Sequence, residues 1–425
     1  MKKNLVKLMA CVLATVSLGS LASCGEQQVQ AVDTVEINVW ATAAEEAVIT
    51  KVVSEWNAEH EAAQQFKVKF TAVAEGDCGT TLSKDPTVDG APALFLCADD
   101  HIFSLRNQNI IAEIKGDRKQ RIIDNNTETS VLGVTQENAI WGYPVTADNG
   151  YFMWYDKSQV KAKTVGNLEE LLAHAKSLKK SVLMDVPNGW YANSFIMSPQ
   201  ACGTDSLKWR NEGGKAVYDT TWDSEVGVKV SEYIQKLLTS YYADGTLKIG
   251  SNDAIQQGFS DGSLIAAVSG TWMEPLLLEE IGDNLAADKL PEYHIDGQAY
   301  QMASFVGSKV YCINKTRPVE EQKTAATLAE LLTTKESQLI RFEERASLPC
   351  NNDALKDRRY TKKTTIGGAA LVKQTQYGCI QAQTAEGKYW DIGKAIGQAY
   401  IDGQLGEETW AQFLKGQMDT LRKAG

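Results

Sequence analysis

The chain has 425 residues, with 43 Lys and Arg against 54 Asp and Glu, for a formal net charge of −11. That acidic balance carries no basic cluster and excludes a nucleic-acid partner, and no stretch after residue 24 is long and apolar enough to span a bilayer. Ten Trp and fifteen Tyr suit a ligand with flat, partly apolar faces.

Lys2, Lys3 and Lys7 open the chain, and the apolar run LMACVLATVSLGSLA that follows is short for a membrane span. It ends in Leu21-Ala22-Ser23-Cys24. Small residues ahead of a cysteine at a cleavage site resemble the lipobox of bacterial lipoproteins. The resemblance implies that residues 1–23 are a signal peptide and that the Cys24 thiol carries the lipid. Residues 24–33 would then tether the globule to the outer face of the cytoplasmic membrane. The alternative is an ordinary secretory signal in which Cys24 is incidental. About 390 residues remain, more than one core usually organises, so two domains are expected.

From residue 35 strand and helix patterns alternate. VEINVWA (35–41) is a β-rich run, and Val48, Ile49, Val52, Val53 and Trp56 then return at helical spacing. FKVKFTAV (66–73) alternates as a strand, and ALFLCA (93–98) is the unbroken apolar run of a strand buried on both faces. Asn167 and Glu170 start a helix whose Leu168, Leu171, Leu172 and Ala175 share one face. SVLMDV (181–186) reads as a strand, 224–242 as a helix, SLIAAVSG (263–270) as a buried strand, and 305–315 as a strand leading to a helix with Pro318 in its first turn. This is an α/β chain of parallel-sheet type, and such sheets bind ligands at the carboxyl ends of their strands. Asp99 and Asp100 fall at one of those ends.

Six cysteines follow Cys24, namely Cys78, Cys97, Cys202, Cys312, Cys350 and Cys379, and none has metal-ligand spacing. Cys97 and Cys312 lie in strand-like apolar runs and read as small buried side chains; their pairing cannot be read from spacing. The four histidines show no metal motif. Gly258-Phe259-Ser260-Asp261-Gly262 spells G-x-S-x-G, but a helix precedes it and a strand follows, the reverse of a nucleophile elbow. No catalytic residue, metal or cofactor is expected.

WGYPVTADNGYFMWY (141–155) places one carboxylate, Asp148, among aromatic rings. Asp-Asn-Gly is a turn sequence, so Asp148 can be a turn residue. It can equally accept hydroxyl groups of a ligand whose C–H faces the rings would cover.

This stretch, with NIIAEI (109–114), AIQQGFSDGSLIAAVSGTW (254–272), FVGSKVYCIN (305–314) and AELLTTKES (329–337), resembles the extracellular solute-binding proteins of ABC importers, and within them the maltose-binding branch. The resemblance implies a two-lobed periplasmic-binding-protein-like fold that closes on a central cleft. The chain would cross between lobes near 147–151, 305–309 and 344–349, giving an N-terminal lobe of 34–148 plus 309–346 and a C-terminal lobe of 149–308 plus 347–425. Asp100 and Asp148 would accept sugar hydroxyls, and Trp190, Tyr191, Trp272, Tyr389 and Trp390 would stack on pyranose rings. Ala44 and Glu45 replace an Asp-Lys pair of that branch, Cys97 a tryptophan, His101 an arginine, and Gly393 a second arginine. The implied protein is a monomeric lipoprotein that captures an oligosaccharide, most simply an α-glucan fragment, and delivers it to the membrane subunits of a permease. Alternatives are the same fold with another oligosaccharide, or a surface glycoside hydrolase. Against the latter, adjacent Asp99 and Asp100 cannot flank a scissile bond at the roughly 5–9.5 Å that hydrolysis needs.

Overall fold

The computed structural model describes residues 29–203, 209–212, 215–218, 220–363, 365–380, 388–403 and 405–423. Ten strands build its two central sheets: β1 (Ile37–Ala41), β2 (Val68–Ala72), β3 (Leu94–Ala98), β4 (Tyr143–Thr146), β5 (Phe152–Asp156), β6 (Ser181–Leu183), β7 (Leu247–Lys248), β8 (Leu264–Ser269), β9 (Leu285–Asp288) and β10 (Lys309–Ile313). The first sheet runs β2-β1-β3-β10-β4 and the second β7-β6-β8-β5-β9. In the first, β1 is parallel to β2 and β3 while β10 lies antiparallel to β3 and β4. The second repeats the scheme: β6 is parallel to β7 and β8, and β5 is antiparallel to β8 and β9. Cys24 and the segment before residue 29 lie outside the described residues.

The apolar periodicities become buried faces. Helix Glu46–Glu59 turns Val48, Ile49, Val52 and Trp56 inward. Helix Leu168–Ser177 does so with Leu168, Leu171, Leu172 and Ala175, and the Asn167 side chain caps it by accepting from the Glu170 N–H at 2.8 Å. Helix Val319–Leu332 begins one residue after Pro318. G-x-S-x-G falls at the end of helix Asn252–Ser260, ahead of β8. The expected strand 305–315 divides at Gly307 and Ser308 into Ser304–Val306, which pairs with Gly378–Ile380 in a separate two-stranded sheet, and β10 of the first sheet. Cys97 and Cys312 are fully buried thiols on paired strands, with their sulfurs 4.0 Å apart. The hydrogen bond between them, together with burial, pushes the Cys97 thiol well above its ordinary pKa.

The chain passes between the sheets at three places. One is the segment from β4 to β5, the second is Gly307-Ser308, and the third follows helix Lys335–Arg345. These crossings bond to one another. The Ala147 N–H donates to Leu348 O at 2.9 Å, and the Asn149 N–H to Gly307 O at 3.2 Å. Asp148 belongs to this set. It is 2% exposed, and its Oδ2 accepts the Leu348 N–H at 3.1 Å. The resemblance implies a ligand role for it; here its Oδ2 is taken by the third crossing, its Oδ1 is a buried atom with no hydrogen-bond partner among the described residues, and its own carbonyl accepts the Gly150 N–H at 2.9 Å in a tight turn. Asp99, also 2% exposed, does the same for the second crossing by accepting the Ser308 N–H at 3.0 Å.

Removing such an acceptor leaves a buried N–H unmet. Asp148→Ala is therefore expected to lower the unfolding free energy by about 1–3 kcal/mol in urea titration, with Asp148→Asn losing less because a carbonyl oxygen remains.

Candidate ligand-binding cleft

Between the sheets lies a cleft of about 510 Å³. Ala98, Asp100, His101 and Lys309 approach from the ends of β3 and β10, Thr42 and Ala44 from the turn after β1, and Arg345 from the third crossing. Trp190, Trp272 and Trp390 face them, with Asn149 at the first crossing.

One wall is aromatic. Trp190 and Trp272 stand with ring centroids 5.9 Å apart and planes at 31°. Trp190 is braced edge-on by Tyr151 at 4.8 Å and Tyr191 at 5.1 Å, and Trp390 by Tyr389 at 4.9 Å. Tyr191 and Tyr389 are buried at 9% and 0% exposure and do not line the cleft; burial pushes both phenols above their ordinary pKa. Each uses its ring as backing, and the Tyr389 hydroxyl accepts from Asn193 Nδ2 at 3.1 Å.

Backbone contact sets this wall. Helix Lys388–Asp402 packs on the short helix Gly189–Ala192 so closely that a Cβ on Gly189 would fall 2.2 Å from the Trp390 carbonyl oxygen, and one on Gly393 2.8 Å from the Gly189 carbonyl. No side chain fits at Gly393, so an arginine is excluded there by packing. Trp272 has a comparable device: a Cβ on Gly270 would meet its indole at 2.0 Å, so the ring lies over the bare backbone.

The other wall is polar. Asp100 Oδ1 and Thr42 Oγ1 are buried atoms with no hydrogen-bond partner among the described residues. Asp99 is turned away toward Ser308, so the carboxylate that β3 offers to the cleft is Asp100. This set suits a neutral polyol, whose hydroxyls donate to Asp100 while its C–H faces lie on indole.

The sequence reading expects all seven residues at the ligand; the structure places Asp100, Trp190, Trp272 and Trp390 in one cleft, and Tyr191, Tyr389 and Asp148 outside its lining. The sequence reading named no role for Asn149, Lys309 or Arg345. Each lies on or beside a crossing, a position that carries no local periodicity.

Gly393→Ala must push helix Lys388–Asp402 off Gly189. Small-to-large changes in tight packing cost about 1–3 kcal/mol. The expected result is a lower melting temperature accompanied by a shift in tryptophan fluorescence, as Trp390 and Trp190 are displaced together.

A family model described as bacterial extracellular solute-binding protein matches residues 55–367. Solved structures of the same fold include a ligand-free maltodextrin-binding protein of L. casei, 21% identical over 92% of this chain and 100% of that one, with a TM-score of 0.76. The maltose-maltodextrin binding protein of Alicyclobacillus acidocaldarius is 14% identical over 92% and 100%, with a TM-score of 0.73. A maltose-binding protein of Listeria monocytogenes in complex with maltose is 17% identical over 92% and 99%, with a TM-score of 0.69. Comparison with curated protein sequences finds no match. With the family model spanning well over half its length and the two-lobed fold shared throughout, the chain belongs to the bacterial extracellular solute-binding proteins.

Proposed function

We propose that this protein is the substrate-binding lipoprotein of an ABC importer, anchored by Cys24, which captures a malto-oligosaccharide and delivers it to a membrane permease. The observation that carries the ligand class is the pairing of Asp100, which lines the cleft and whose Oδ1 has no hydrogen-bond partner among the described residues, with the half-buried indoles of Trp190, Trp272 and Trp390 across it. The 31° turn between Trp190 and Trp272 suits an α-glucan, whose successive pyranoses curve rather than lie flat. Structural relatives named for maltose and maltodextrin support the same reading.

The carboxylates support capture without hydrolysis. Glycosidases use two, about 5–9.5 Å apart on opposite sides of the bond, and here Asp99 and Asp148 are buried and each gives its Oδ2 to a backbone N–H of a crossing. We place the N-terminal lobe at 34–148 plus 309–346 and the C-terminal lobe at 149–308 plus 347–425. Asp100 then belongs to one lobe and the three tryptophans to the other, so neither alone completes the ligand's contacts. A ligand shifts an open–closed equilibrium only through its differential affinity for the closed state, and the divided site supplies that difference.

Calorimetry with maltotriose tests the ligand: Trp272→Ala should weaken binding by about 1–3 kcal/mol while the unliganded melting temperature barely moves. No reducing sugar should be released on long incubation. Small-angle scattering tests the mechanism, since saturating maltotriose should lower the radius of gyration and change tryptophan fluorescence; an unchanged radius with sugar bound refutes closure.

A further inference from the structure

Arg345 ends helix Lys335–Arg345, and the next residue, Ala346, holds a left-handed backbone at φ +56° with its N–H on Phe342 O at 2.9 Å. The helix therefore stops abruptly at the third crossing, and Arg345 is left with its side chain in the cleft lining, 19% exposed. Its Nη1 bonds to Glu45, the one hydrogen bond it makes among the described residues.

Glu45 is 1% exposed and is held from the other side by Arg341, itself 1% exposed. Arg341 Nε reaches both Glu45 oxygens at 3.0 Å, Arg341 Nη2 reaches Oε2 at 3.0 Å, and the Tyr311 hydroxyl donates to Oε2 at 3.3 Å. Two guanidinium groups share the Glu45 carboxylate, and the buried Asp148 carboxylate also acts on Arg341. Arg341 is sealed from solvent, so the guanidinium of this pair that reaches the cleft is that of Arg345.

A guanidinium offers five N–H donors in a rigid fork. With Nη1 on Glu45, the remaining donors of Arg345 face a site whose other wall is apolar. Resting on the oligosaccharide reading above, we propose that Arg345 is a ligand-contacting residue, its fork donating to a vicinal pair of sugar oxygens, and that Glu45 is the positioning residue that fixes its direction. The departure at Glu45 and the glycine at Gly393 then have a joint account. The late helix has no room for a cation, and the cation comes from the crossing instead. A ligand gripped there pulls on the segment that joins the lobes.

The test is calorimetry with maltotriose on wild type, Arg345→Ala, Arg345→Lys and Glu45→Gln, with Trp272→Ala as the reference. Arg345→Ala should lose about ten- to a hundredfold in affinity. Its unliganded melting temperature should stay close to wild type, because Glu45 keeps Arg341. Arg345→Lys restores the charge but not the fork and should recover only part of the loss. Glu45→Gln should weaken binding, and combining it with Arg345→Ala should add less than the two losses separately. If wild type binds and Trp272→Ala is weakened while Arg345→Ala binds like wild type, the inference is overturned and the sugar reading stands. A loss at Arg345→Ala that follows a fallen melting temperature and is not relieved by Arg345→Lys also overturns it. If wild type binds no malto-oligosaccharide, the sugar reading falls and takes the inference with it.

Discussion

Backbone groups at a crossing between two sheets have no ladder to join, and burying them unmet is costly. The structure answers with carboxylates. Asp148 accepts the Leu348 N–H and Asp99 the Ser308 N–H, each from a position 2% exposed. Such charge-assisted bonds are stronger than neutral ones, which offsets the desolvation of the anion. Everything around the cleft depends on this arrangement, because the crossings fix where the first sheet presents Asp100 and where the second presents its rings.

The ring wall rests on a different constraint. Indole faces stay available only if something else bears the packing, and Tyr191, Tyr151 and Tyr389 do so edge-on. The backbone approach of Gly189 to Gly393 then locks two ring-bearing helices into one unit. Polar recognition and apolar recognition are thus built by separate means, one from strand ends and crossings, the other from helix contact without side chains.

Much of the fold was legible in the sequence. The 3.6-residue recurrence of Val48, Ile49, Val52 and Trp56 and the unbroken run 93–98 each report burial, which is what apolar patterning encodes. Direction within a short motif was less legible. Asp99 and Asp100 are neighbours of the same type, as are Tyr389 and Trp390, yet one of each pair faces the cleft and the other faces protein. Asp148 was legible as a carboxylate with a purpose, but its partner, Leu348, is two hundred residues away. Arg345 and Lys309 were missed for the same reason: their placement is set by contacts between distant segments, to which local periodicity is blind.

The adjacency of Asp99 and Asp100 has a mechanical meaning. A single peptide bond joins the residue that lines the cleft to the residue whose Oδ2 holds the Ser308 N–H. That unit is planar, so a backbone shift at one residue is carried to the other. Selection acting on ligand preference at this corner therefore acts on the joint as well. Variants of the chain that move to new solutes would find it easier to exchange rings on the far wall than to alter this acidic pair.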